Sequence, residues 1–237
     1  MGIWDEELDD DEEDDEEDEE QPQNAPLVDR ILKSFVSSNF HDPARDYLPE
    51  GCLKDLVTQS AIATELHSFD GEFRSLPEDK KKKKIQKMNC DIEYREELAT
   101  WILKNAPRTF AVALQCESDP ILLVIAMSIF RDNNFTDESL PIPDLMPSTK
   151  IFPPAIWTSS VKLWTPVKIH NFYEKQWKCL VPVFSCAKYD HDLLYDNYIF
   201  PFTKVGAAPK VGAFSFVHRV VIRDDHQRHV NMEQWTR

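Results

Sequence analysis

From Leu27 onward the chain repeats apolar residues at helical spacing. Val28, Ile31, Leu32, Phe35 and Val36 fall at i, i+3, i+4, i+7 and i+8, which predicts an amphipathic helix beginning near Leu27. Pro49 stands where the first turn of a helix tolerates proline, and Leu53, Leu56, Val57 and Ala61 continue at helical spacing, so two short helices are expected before Ser68. Tyr94, Leu98, Trp101 and Ile102 give another helix, with Asp91 as candidate N-cap; Pro107 stops it and opens the next, which carries Phe110 and Leu114. Ser118-Asp119 offer caps ahead of Pro120, and the run Ile121 to Phe130 is apolar nearly all round, as befits the central helix of a bundle. After a proline-punctuated connection at Leu140 to Asp144 and Phe152 to Pro154, expected to be ordered only by packing, Thr165-Pro166 opens a last helix with Ile169, Phe172, Tyr173 and Trp177 on one face.

Beyond Leu180 the helical period disappears. Leu180 to Phe184 is rich in β-branched residues and reads as an extended edge segment, and Tyr198 to Ile222 reads as strand, glycine-bearing loop, strand. The expected fold is mainly α: a helical N-terminal region over 27–180, then a small incomplete antiparallel β element over 181–237. Isolated hairpins are marginal, so these strands must dock on the helices or stay weakly ordered.

Charge changes the picture at one end only. Net charge is −15, but of 42 acidic residues 15 lie between Asp5 and Glu20, leaving 27 against 27 lysines and arginines. So dense a block repels itself and has little apolar area to bury, which makes residues 1–26 a disordered acidic tail and linker. Its functional reading is a tail that reaches basic protein partners or masks a basic surface of the same chain; nucleic acid is not an expected partner. Lys80 to Lys84 are five lysines in a row, read either as a solvated segment or as an import signal or partner for the tail. Cys52, Cys90, Cys116, Cys179 and Cys186 are odd in number and lack C-x-x-C spacing, which suits reduced thiols. Without a secretory signal or a membrane-length apolar run, the expected location is cytoplasmic or nuclear, with no membrane partner.

Common catalytic constellations are absent from the sequence: no G-x-S-x-G, H-E-x-x-H, Walker loop or EF-hand loop. His218, His226 and His229 lack metal-ligand spacing and read as surface or strand histidines. Gly206 and Gly212, two of five glycines, both fall in the terminal hairpin, where a backbone free of Cβ atoms can approach phosphate closely.

The stretch Gly212-Ala-Phe-Ser-Phe-Val-His-Arg-Val-Val-Ile222 resembles the glycine-rich loop and second strand that open a eukaryotic-type protein kinase domain, G-x-G-x-x-G-x-V. Phe172-Tyr-Glu-Lys-Gln-Trp177, Val181-Pro-Val-Phe184, His191-Asp-Leu193, Phe200-Pro-Phe202 and Asp225-His-Gln227 are similar to segments of a group of fungal serine/threonine kinase-like proteins, in which a helical region precedes the kinase domain. Tyr47-Leu-Pro-Glu-Gly-Cys-Leu53 and Trp101-Ile-Leu-Lys-Asn-Ala-Pro107 look like that group's N-terminal region.

The resemblance implies that residues 181–237 are the first two strands of a kinase N-lobe. In it Gly212 and Phe214 would form the loop tip, Val217 would pack over adenine and Gly206 would end the first strand, all four as nucleotide-binding residues. Counting back from Val217, Lys210 and Ser215 stand where the first and third loop glycines belong; alternatively Ala207 to Lys210 are an insertion after Gly206. A catalytic kinase domain would bind ATP and Mg²⁺, but the third-strand lysine, the αC glutamate, H-R-D and D-F-G are not among these residues. The resemblance thus implies the N-terminal part of a serine/threonine kinase, without catalytic residues or cofactor of its own. The alternative is a non-catalytic helical interaction module whose acidic tail binds basic proteins.

Overall fold

A computed structural model describes residues 25–67, 92–143, 164–185, 195–204, 210–211, 216–217 and 219–228. The protein is mainly α. Among the described residues seven helices run α1 (Leu27–Lys33), α2 (Glu50–Leu56), α3 (Gln59–His67), α4 (Ile92–Asn105), α5 (Pro107–Cys116), α6 (Pro120–Asp132) and α7 (Pro166–Cys179). Short strands accompany them: β1 (Val36–Ser38), β2 (Arg45–Tyr47), β3 (Phe184–Ser185), β4 (Phe202–Lys204), β5 (Lys210–Val211), β6 (Phe216–Val217), β7 (Val220–Ile222) and β8 (Gln227–Arg228).

The all-round apolar run becomes α6, the hub of the core, packed against α3, α4 and α5. Its start follows the sequence: Asp119 accepts from the backbone N–H groups of Ile121 and Leu122, with Pro120 in the first turn. Its end depends on Asn134, held at φ 51, where asparagine tolerates the left-handed conformation better than most side chains. Phe135 N–H then donates to the Phe130 carbonyl and Asn134 N–H to that of Arg131, which closes the helix and returns the Phe135 ring to Phe130 at 4.8 Å. Phe130 is fully buried and also meets Trp164 at 5.6 Å and Phe172 at 6.1 Å. No helix among the described residues is long and apolar enough to cross a membrane.

The amphipathic pattern overextends the first helix. α1 stops at Lys33 because the Ser34 hydroxyl turns back to the Arg30 carbonyl, and Val36 instead enters a hairpin, Val36 opposite Tyr47 and Ser38 opposite Arg45. Among the described residues three helices, not two, precede Ser68. Val57 leaves helical geometry at φ −90, ψ 71, and the Thr58 side chain accepts from Ala61 N–H to start α3. A four-residue apolar spacing runs through this break because burial against a shared core demands the same spacing on both sides of it.

Two polar groups organise what local sequence leaves open. Ala106 offers α5 no side-chain cap, and Asp137 supplies one from 28 residues away: it accepts from Thr109 N–H at 2.8 Å, the Thr109 hydroxyl at 2.9 Å and Arg108 N–H at 3.0 Å. Burial nonetheless raises its carboxyl above the ordinary value, against those hydrogen bonds. Asp137→Ala is expected to lower stability by about 1–2 kcal/mol, with Asp137→Asn milder because it keeps an acceptor; urea unfolding of both variants checks this order. The described start of the proline connection, up to Pro143, is likewise pinned by more than packing, while Phe152 to Pro154 lie outside the described residues. Gln176 of α7, fully buried, donates to the Ile142 carbonyl at 3.0 Å and accepts from Ile142 N–H at 2.7 Å.

Candidate functional site

The terminal strands form antiparallel ladders. β4 pairs with β7, with Phe202 opposite Ile222, Thr203 opposite Val221 and Lys204 opposite Val220; β5 pairs with β6, with Lys210 opposite Val217 and Val211 opposite Phe216. Residues 212–215 connect β5 to β6. The two ladders are out of step. Between their nearest pairs lie five residues on the first strand, 205–209, and two on the second, 218–219, so the first strand carries three extra. Lys210 stands opposite Val217 in this register. The backbone of Val217 is thus located in β6, whereas Gly206, Gly212 and Phe214 lie outside the described residues. The acidic stretch, Lys80 to Lys84, Asp91, Cys90, Cys186, His218 and His229 do so as well.

The hairpin is docked on the helical region. Phe202 meets Phe40 at 5.3 Å, Phe184 at 5.2 Å and Phe200 at 5.3 Å, while the Phe200 ring stacks on His41 at 5.9 Å. The Ser38 hydroxyl donates to the Phe202 carbonyl at 3.1 Å and Phe200 N–H donates to His41 Nε2 at 3.0 Å, so the β1–β2 segment holds the start of the β element. Tyr47, Val181 and Ile199 form a second small core there, with Val36 against it. Leu48 N–H donates to the Lys178 carbonyl at 2.8 Å and ties the same segment to the end of α7.

A polar cluster lies where the segment after β7 reaches the start of α2. Asp225 Oδ2 accepts from Gly51 N–H at 3.2 Å, and its other oxygen takes the Arg223 guanidinium at 3.1 Å. Burial opposes the Asp225 charge, but Arg223 and the Gly51 amide outweigh it and hold the carboxyl below its ordinary range. Next to it His226 Nε2 accepts from Glu50 N–H at 3.1 Å, and its Nδ1 lies 3.1 Å from the Pro182 carbonyl. The nearly buried Glu50 carboxylate is bound by Arg108 and, at 3.3 Å, by Lys54. His226 is 1% exposed and sits in a 3-10 turn, Asp224–His226, so the expectation of a surface or strand histidine is wrong for this residue. A histidine whose two nitrogens both find buried backbone partners can be enclosed, and sequence-neighbour spacing carries no sign of that.

An open cleft of about 360 Å³ lies elsewhere, lined by Pro26, Glu65, Cys116, Glu117 and Pro120 among others. Burial pushes the Cys116 thiol up to about 11 and that of Cys179 to about 12, so neither is a thiolate nucleophile near neutral pH. Glu117 is already neutralised by Lys168.

Sequence motifs missed Glu50, Arg108 and His226 as a cluster. One signal was available: the runs Tyr47 to Leu53 and Asp225 to Gln227, some 176 residues apart, are the two that meet. Comparisons of the chain with protein-family models, with curated proteins and with solved structures found no match.

Proposed function

We propose that residues 202–222 are the glycine-rich-loop hairpin of a protein-kinase N-lobe, preceded by a helical region that carries it, and that the chain is the N-terminal part of a serine/threonine kinase. The observation that supports this reading is the register. With Lys210 opposite Val217, the four connecting residues are Gly212-Ala-Phe-Ser215, the position a nucleotide-covering tip requires. In this role Gly212 and Phe214 lie over the phosphates and Val217 over the base, while Lys210 and Ser215, in place of glycines, narrow the backbone approach.

Phosphoryl transfer needs a lysine and Mg²⁺-holding carboxylates to stabilise the transferring group, and no such set is present in these 237 residues. No catalysis is therefore assigned to them. Sequencing the transcript beyond the Arg237 codon tests the reading. An in-frame strand with a V-A-I-K-like lysine, then H-R-D and D-F-G, is expected; a continuation lacking them, or a stop codon, overturns it. For the 237-residue chain, ATP with Mg²⁺ should leave the Tm unchanged, because a hairpin alone supplies half a pocket. A Tm that rises with ATP concentration would make the hairpin a self-sufficient nucleotide site instead.

A further inference from the structure

We propose that His226 is a proton-operated latch, which in its neutral form ties residues 223–228 to the start of α2 and on protonation releases them. The inference is independent of any nucleotide role for the hairpin.

The geometry fixes the tautomer. Nε2 faces the N–H of Glu50 at 3.1 Å and must accept; Nδ1 faces the carbonyl of Pro182 at 3.1 Å and must donate. A proton added to Nε2 would turn donor against donor in a site where His226 is 1% exposed. The ring cannot easily trade this loss for an ion pair. Of the charged and titratable groups around it, Asp225 is engaged by Arg223 and Gly51 N–H, Glu50 from α2 is engaged by Arg108 and Lys54, and the Tyr47 ring of β2 lies edge-on at 5.6 Å. Arg223, on the same segment as His226, adds a repelling positive charge. Burial accordingly lowers the proton affinity of His226, only partly countered by the Pro182 carbonyl and the charges of Asp225 and Glu50.

The sign of the linkage follows. A histidine whose folded-state pKa is depressed contributes stability that is complete above its ordinary value of 6.5 and is lost as pH falls from there through the folded-state pKa. Release has defined structural consequences. The N–H groups of Glu50 and Gly51 lose their acceptors, and the parallel pairing of β3 with β8, Phe184 with Gln227 and Ser185 with Arg228, loses its anchor. Gln227, whose side chain donates to the Ile222 carbonyl, goes with it, so the end of β7 is freed as well.

Amide hydrogen exchange on the full chain between pH 7.5 and 5.0 tests the latch, with protection factors corrected for intrinsic exchange. The Glu50 amide should lose about tenfold in protection per pH unit below 6.5 until the folded-state pKa is passed, and at each pH it should exchange faster than the buried Val124 in α6, whose exchange needs global unfolding. In His226→Gln, which retains an acceptor but does not titrate, the Glu50 amide should be protected with no such slope. Flat protection in the wild type, or the same slope in His226→Gln, overturns the proposal. If the variant fails to fold, nitrogen chemical shifts of the wild-type imidazole decide independently: a bare Nε2 at pH 7.5 supports the latch, and a protonated Nε2 overturns it.

Discussion

Replacing Phe130 by alanine is expected to cost about 3–5 kcal/mol of unfolding free energy. The ring is fully buried and is shared by three aromatic partners, Phe135, Trp164 and Phe172, that arrive from three separate segments. Truncation removes the transfer energy of the ring and leaves a cavity whose walls are themselves large rigid rings, which collapse poorly. Phe130→Leu should recover a good part of the loss by filling most of the volume. Urea unfolding with near-UV circular dichroism checks both. A loss below about 1 kcal/mol for the alanine variant would mean that the aromatic cluster is not the keystone it looks to be.

Gln176→Ala should follow, at about 2–4 kcal/mol, for a different reason. Here little volume matters; the change orphans the N–H and C=O of Ile142, both inside the core, and each unsatisfied buried group costs roughly 1–3 kcal/mol. The better helix propensity of alanine returns only a few tenths. Gln176→Glu distinguishes the polar argument from packing: of nearly equal size, it keeps an acceptor for Ile142 N–H but brings an uncompensated charge against the Ile142 carbonyl. The glutamate variant should therefore be at least as destabilised as the alanine one at neutral pH and should recover as pH falls and the carboxyl protonates. A glutamate variant as stable as wild type at pH 7 would show that this site is open to water.

Much of the helical region was legible in the sequence. Pro107, Pro120 with Asp119, and Pro166 with Thr165 mark helix starts through rules local to a few residues, and the structure follows each of them. The apolar faces carried by Leu98 and Ile102, and by Ile169, Phe172 and Trp177, are buried as their spacing requires. The reading failed where two segments compete for the same pattern. Phe35 and Val36 fit a helix face, yet pairing with Arg45–Tyr47 satisfies Val36 in a strand. Such a choice depends on a partner segment that periodicity does not represent.

The candidate site was legible only in part. The strand, loop, strand order of the terminal element could be read from Gly212 and its flanking β-branched residues, and the antiparallel ladders agree with it. The three-residue offset between those ladders could not, since sequence alone admits either alignment of Lys210. The polar cluster was invisible as a cluster: Glu50 and Arg108 carry no motif of their own, and His226 read as a surface or strand histidine.

Taken by itself, the amino-acid sequence determined the helix starts marked by Pro107, Pro120 and Pro166, the mainly α class, the central place of Ile121 to Phe130 and the concentration of acid in the first twenty residues. All of these follow from chain-local chemistry: proline geometry, capping, apolar period and charge density. Only the tertiary structure decided that Asp137 caps α5, that Gln176 holds the Ile142 backbone, and that Asp225 and His226 close onto the first residues of α2. The physical reason is common to the three. Each satisfies a backbone group whose partner lies 28 to 176 residues away, and which distant donor meets which acceptor is set by how the packed helices bring them together.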